Sequence, residues 1–320
     1  MPDLIFDVVL LICGIGVLYF GAEWLVRGAA RLAGSLGVSP IVVGLTIVSF
    51  GTSAPELVVA TVAAVRGNPG LAIGNVMGSN LANIGLILGL TAMVRPLDVH
   101  ARVVGREMPL MLLATAVLYP LMWDNHLSSG DGVILLFGLV AYLLFVFYTV
   151  EDEAPEILGE YAEFIKASDQ TTNRVALSDV GWVLVGSACL VLGGYCIVEG
   201  AVSAATALGV SQVVIGLTVV AVGTSLPELA TSLVAAMRQE ADIAVGNVIG
   251  SNIFNVAAIM GTASVVEPIA IPDGVLSREL PAVLAMSLLL WPILHSGSRI
   301  RRWEGAILMF AYVGLGVWLI

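Results

Sequence analysis

Charge is what this sequence has least of. Only 12% of its 320 residues are Asp, Glu, Lys or Arg, where soluble domains carry roughly a quarter. Histidine and cysteine are scarce too, three of each, and neither clusters at metal-ligand spacing. Zinc and copper sites, which want imidazole or thiolate, therefore lack candidates. Cys13, Cys189 and Cys196 sit inside apolar runs, where buried packing is the expected role. No basic patch points to nucleic acid, no loop has the ordered Asp/Gly spacing of an EF-hand, and no nucleophile–base pair favours a membrane enzyme. The first apolar run has no basic leader or clear cleavage site, so it reads as a first span rather than a signal peptide.

Apolar sequence is what remains. Hydrophobic residues make up 58% of the chain and the mean hydropathy is +1.00. Uncharged runs recur end to end, each near the roughly 20 residues a helix needs to cross a bilayer. Spanning segments must satisfy their own backbone, as helices or a closed barrel, and continuous runs select helices. The expected fold is an all-α integral membrane protein with ten spans, near 4–26, 40–65, 71–94, 107–123, 131–150, 180–202, 212–237, 243–266, 279–295 and 303–320. The stretch 151–179 divides them, giving one five-helix unit over 1–150 and another over 180–320. This divider opens EDEAPEILGEYAEFIKASD, with seven acids in a chain of net charge −11, and reads as a solvated, partly helical linker rather than a regulatory calcium site.

Basic residues set orientation, because cytoplasmic loops collect them. With the N-terminus outside, Arg27, Arg31, Arg95, Arg102, Arg106, Lys166, Arg174, Arg238, Arg299, Arg301 and Arg302 fall inside, leaving only Arg66 and Arg278 outside. Both termini are expected outside the cell membrane and the linker in the cytoplasm.

The chain also repeats itself. GLTIVSFGTSAPEL at Gly44–Leu57 matches GLTVVAVGTSLPEL at Gly216–Leu229, and GNVMGSNLAN at Gly74–Asn83 matches GNVIGSNIFN at Gly246–Asn255. Both pairs lie 172 residues apart, and 26 of 53 positions from Gly44 to Pro96 are identical at that offset. An odd number of spans separates the copies, so the second crosses the membrane in the opposite sense. Inverted repeats characterise transporters whose substrate sits near the midplane.

Each copy puts a proline and a glutamate mid-span: Pro55 with Glu56, and Pro227 with Glu228. Proline removes a donor and disturbs the carbonyl four residues back, here Gly51 and Gly223, next to Thr52-Ser53 and Thr224-Ser225. A carboxylate inside a span is costly and signals function, and no span interior holds a cation to pair with it. The following span adds Ser79 and Asn83, and Ser251 and Asn255, each pair on one helix face. For Asn80 and Asn252 two roles stand, capping a helix break or ligation. The donor set is all oxygen, as hard cations prefer, and two glutamates neutralise one divalent ion. These residues indicate a carrier of divalent or alkali cations. They select neither ions, coupling nor direction, and a cation channel is the alternative from another class.

At these motifs the sequence resembles the calcium/cation antiporter superfamily, and within it the bacterial and archaeal sodium/calcium exchangers. The resemblance covers both halves, with ten helices as two inverted five-helix repeats around a cytoplasmic loop. It implies that Glu56 and Glu228 bind calcium or sodium in turn. Thr52 and Thr224 would offer backbone carbonyls to calcium. Ser53, Ser79, Ser225 and Ser251 would line flanking sodium sites with the carbonyls of Ser49 and Ala221. Asn83 and Asn255 would complete the centre. Spans one and six would slide over the other eight. The implied exchange is three sodium ions for one calcium, moving one net charge, with calcium and sodium as cargo and no prosthetic group. Some prokaryotic exchangers and the potassium-dependent branch carry aspartate where Asn255 stands. The neutral residue argues against potassium co-transport. Calcium/proton antiport on the same scaffold is the nearest rival. Oligomeric state is not indicated.

Overall fold

The structure is a computed structural model that describes residues 2–100, 102–149, 177–207, 221–295 and 299–319. The acidic linker lies outside the described residues apart from its last three positions. In chain order the helices are α1 (Pro2–Leu36), α2 (Pro40–Thr52), α3 (Ala54–Val65), α4 (Pro69–Val94), α5 (Val103–Leu121), α6 (Ser129–Tyr148), α7 (Leu177–Ala207), α8 (Ala221–Thr224), α9 (Leu226–Met237), α10 (Ala241–Val266), α11 (Val275–His295) and α12 (Arg302–Leu319). Four two-residue strands, β1 (Leu97–Asp98), β2 (His126–Leu127), β3 (Ile269–Ala270) and β4 (Arg299–Ile300), form two antiparallel ribbons, β1 with β4 and β2 with β3. Each ribbon joins one half of the chain to the other.

Among the described residues, seven helices are long and apolar enough to cross a membrane, and the bent pair α2–α3 makes eight. The chain is thus an all-helical membrane protein. Residues 208–220, where the seventh expected span begins, lie outside the described residues, and the short α8 with the 12-residue α9 represents the rest of that span. The 18-residue α12 carries Arg302 and Glu304 in its first turn.

Local chemistry sets the boundaries. Pro40, Pro55 and Pro69 stand in the first turns of α2, α3 and α4, where a missing N–H costs nothing. The Asn68 side chain accepts from the Leu71 N–H (3.2 Å), and Ser128 with Asp131 forms a capping box on α6. The chain bends by 47° between α2 and α3. Both α1 and α7 outrun the expected limits. Arg27 and Arg31 were natural end signals, yet α1 continues to Leu36 because Arg27 pairs with Glu23 one turn back and Arg31 with Asp179 of α7.

The two halves carry the same features 172 residues apart. π-Helical turns interrupt α4 at Asn83–Leu88 and α10 at Asn255–Met260, and begin α5 at Val103–Glu107 and α11 at Val275–Glu279. Such turns are rare and favour functional sites. α10 is buried along nearly its whole length and α4 along most of it. The outer helices expose large apolar side chains such as Phe6, Ile12, Phe137 and Phe310, as a lipid-facing surface requires.

α1 and α7 form a close-packed pair. Gly14 faces Gly193 and Gly21 faces Gly186, while Gly28 packs on Asp179–Val183 and Gly200 on Asp7 and Leu11; a Cβ on Gly193 would lie 2.6 Å from the Leu18 nitrogen and 2.9 Å from the Gly14 oxygen. Small residues permit this approach where hydrophobic driving force between helices is lacking. The cysteines depart from the expectation of burial: Cys13 is exposed, and Cys189 and Cys196 are half-buried against the glycines of α1. Seven-residue glycine spacing turns the narrow face of α1 to α7, leaving Cys13 on the outer surface.

Candidate cation site

The repeat motifs converge where α2–α3 and α8–α9 meet the middles of α4 and α10. Helix breaks do the positioning. Ser53 (φ −82°, ψ 6°) and Ser225 (φ −88°, ψ 5°) leave helical geometry, so each proline opens a new helix instead of kinking an old one. Glu56 and Glu228 thereby fall in the first turns of α3 and α9, beside the positive end of the helix dipole. Both are 1% exposed.

The halves hold each other's carboxylates. Ser53 Oγ donates to Glu228 Oε1 (3.0 Å), and Ser225 Oγ lies 3.4 Å from Glu56 Oε1 and 3.4 Å from Ser79 Oγ. Ser53 precedes Glu56 by three residues on the same turn, so the reciprocal bonds bring the two glutamates to one site. Among the described residues neither carboxylate forms an ion pair, and Oε2 of each is buried without a hydrogen-bond partner. A buried carboxylate left so is costly unless a cation or proton compensates it.

The remaining expected residues stand on α2–α3, on α8–α9, or on α4 and α10 packed beside them. Ser49, Thr52, Ser53, Ser79, Asn83, Ser225, Ser251 and Asn255 are buried, and Thr224 stands at the end of α8. Thr52 Oγ1 lies 3.0 Å from Asn247 Oδ1 and 3.5 Å from Ser251 Oγ. Ser49 stitches α2 to α10: its hydroxyl reaches the carbonyls of Gly44 (2.7 Å) and Asn247 (3.1 Å), while its own carbonyl accepts from the Ser53 N–H (3.0 Å). Ala221 begins α8. Oδ1 of Asn83 and of Asn255 are also buried without partners.

Two residues escaped the sequence reading. Asn75 Nδ2 donates to the Glu56 carbonyl (3.1 Å) and Asn247 Nδ2 to the Glu228 carbonyl (3.4 Å), fixing the backbone that carries each glutamate. Their recurrence in both GNV motifs was the available signal. Asn80 and Asn252 lie within α4 and α10 rather than at a helix end, and bond to each other's helix. Among the described residues no group of three or more His, Cys, Asp or Glu gathers. The four unpartnered oxygens named above are two carboxylate oxygens, of Glu56 and Glu228, and two amide oxygens, of Asn83 and Asn255.

A family model for sodium/calcium exchanger proteins matches residues 6–148 and 178–320. The chain belongs to the sodium/calcium exchanger family. CaxA of Alkalimonas amylolytica is 37% identical over 311 residues, covering 96% of each chain. The sodium/calcium exchanger MaX1 of Methanosarcina acetivorans is 33% identical, covering 95% of each. A solved structure of the sodium-calcium exchanger NCX_Mj soaked with 2.5 mM Na+ and 1 mM Sr2+ superposes with a TM-score of 0.83 at 31% identity, covering 98% of each chain. This member of the family is accordingly a membrane transporter, not an enzyme, with cation antiport as its class of activity.

Proposed function

We propose that the chain is a sodium/calcium antiporter working by alternating access. In this reading Glu56 and Glu228 bind calcium or sodium in turn. Thr52, Thr224, Ser53, Ser225, Ser79, Ser251, Asn83, Asn255 and the carbonyls of Ser49 and Ala221 complete the ion sites. The observation that carries it is the pair of buried glutamates, each bonded by a serine of the opposite half and each keeping one oxygen unpartnered. Calcium takes six to eight oxygens, and two carboxylates cancel its charge.

The same reading includes ten spans in two inverted repeats, 1–150 and 180–320, with both termini outside and the acidic linker of 151–179 in the cytoplasm. Exchange is electrogenic and independent of potassium. The reciprocal serine–glutamate bonds and ribbon pairings support the inverted symmetry, and neutral Asn255 supports potassium independence. One asymmetry supports alternating access. α1 lies along α9, and there Val234 is 6% exposed, whereas its counterpart Val62 on α3 is 41% exposed. The α1–α7 pair thus covers the Arg238 end more fully than the Arg66 end.

Calcium-45 uptake into proteoliposomes tests the proposal. An outward sodium gradient is expected to drive calcium in against its own gradient, and Glu56→Gln or Glu228→Gln is expected to abolish uptake in folded protein. The unpartnered carboxylate oxygens also suit protons, so calcium/proton antiport is the second reading. Uptake that follows pH and ignores sodium would replace the first reading with it. Purely downhill flux would indicate a channel.

A further inference from the structure

Four asparagines at the crossing of α4 and α10 form a closed set of hydrogen bonds. Asn80 Nδ2 donates to the Asn252 backbone oxygen (3.3 Å), and Asn252 Nδ2 to the Asn80 backbone oxygen (3.4 Å). Asn255 Nδ2 donates to Asn80 Oδ1 (2.9 Å), and Asn83 Nδ2 to Asn252 Oδ1 (3.0 Å). Asn252 Nδ2 also lies 3.5 Å from Met111 Sδ, a weak acceptor. All four asparagines are buried.

Orientation propagates through this set. A backbone carbonyl can only accept, so the branch of Asn80 facing the Asn252 carbonyl must be its nitrogen. Its oxygen then faces Asn255, which must answer with nitrogen. Asn255 Oδ1 is left pointing away, buried and unpartnered, and the same logic from Asn252 leaves Asn83 Oδ1 unpartnered. Turning either ligand amide over would set nitrogen hydrogens toward the cation and oppose two oxygens across the bond.

We infer that Asn80 and Asn252 are positioning residues that hold the amides of Asn83 and Asn255 with oxygen toward the transported cation. This rests on the exchange reading above. Each acts across the repeat boundary: Asn80 of the first copy orients Asn255 of the second, and Asn252 orients Asn83. The site thereby gains two neutral oxygens of fixed direction besides two carboxylates. A neutral residue at position 255 serves a cation only if its dipole cannot turn.

The test is a rescue, because a carboxyl presents oxygen on both branches and has no wrong orientation. Calcium KM and kcat are measured in proteoliposomes for Asn80→Ala, Asn255→Asp and the double variant. Asn80→Ala is expected to raise KM tenfold or more with kcat within threefold. The double variant is expected to return KM to within threefold of Asn255→Asp alone. Simple additivity of the two effects, or an unchanged KM in Asn80→Ala, overturns the inference. Asn252→Ala with Asn83→Asp repeats the test in the other half. Should neither alanine variant fold, the unmutated protein decides by infrared difference spectroscopy with side-chain 13C-labelled asparagine. Calcium is expected to shift a labelled amide carbonyl band relative to choline buffer, and an absent shift overturns the inference. That band reports orientation whichever counter-ion drives transport, so a failure of sodium coupling is told apart from a failure of positioning.

Discussion

At the residue scale, the site depends on where protons sit on short polar side chains. Each glutamate takes a serine hydroxyl contact from the opposite half at Oε1 and keeps Oε2 unpartnered. Ser53→Ala or Ser225→Ala removes that contact while leaving both charges. A hydrogen bond to a charged group contributes about 1.5–3 kcal/mol, so apparent calcium affinity is expected to fall by about ten- to a hundredfold, read as calcium KM in proteoliposomes. A change below twofold would mean the serines merely fill space. Asn255→Asp alone is expected to alter ion or pH dependence without loss of binding, because it adds a titratable group beside two existing carboxylates. An identical pH profile would make position 255 a bystander.

At the element scale, the α1–α7 seam depends on glycine, since backbone meets backbone along it. Gly193→Val would drive a side chain into the Leu18 nitrogen and Gly14 oxygen. Overpacking of this kind costs about 1–3 kcal/mol, so the melting temperature in detergent is expected to drop clearly. Gly16, on α1, has open space where a Cβ would lie, with nothing within 4 Å. Gly16→Ala is expected to leave the melting temperature unchanged or raise it, because alanine favours helix by about 1 kcal/mol. Equal losses for both variants would show that close approach along the seam does not control the pair's stability.

At the scale of the whole molecule, one ionic contact among the described residues ties the α1–α7 pair to the rest. Glu23 on α1 pairs with Arg238 at the end of α9 (Nε to Oε2, 2.7 Å). The repeat places Tyr195 opposite Arg66 at the corresponding position, so no equivalent pair of charges exists there. Partly exposed salt bridges contribute at most about 1 kcal/mol. Under the alternating-access proposal, Glu23→Gln is therefore expected to shift the balance between the two access states by no more than about fivefold. In a background with the native cysteines replaced, Val62→Cys is expected to react with maleimide faster than Val234→Cys. Glu23→Gln is expected to narrow that ratio, and an unchanged ratio would show that the contact does not bias the gate.

The sequence by itself determined the membrane class, the duplication and the two glutamates. Long uncharged runs admit few folds, and a carboxylate amid them has few explanations. It also marked Ser53, Ser225, Asn83 and Asn255, because recurrence at a fixed offset exposes residues that packing alone would let drift. Only the tertiary structure decided which serine bonds which glutamate, that the chain breaks at Ser53 before Pro55 is reached, that α1 runs on to Leu36, and what Asn80 and Asn252 bond to. The serine–glutamate and asparagine pairings depend on hydrogen bonds between residues about 170 positions apart. Local pattern says what a side chain can donate or accept. Only the packed crossing of α4 and α10 says what it meets.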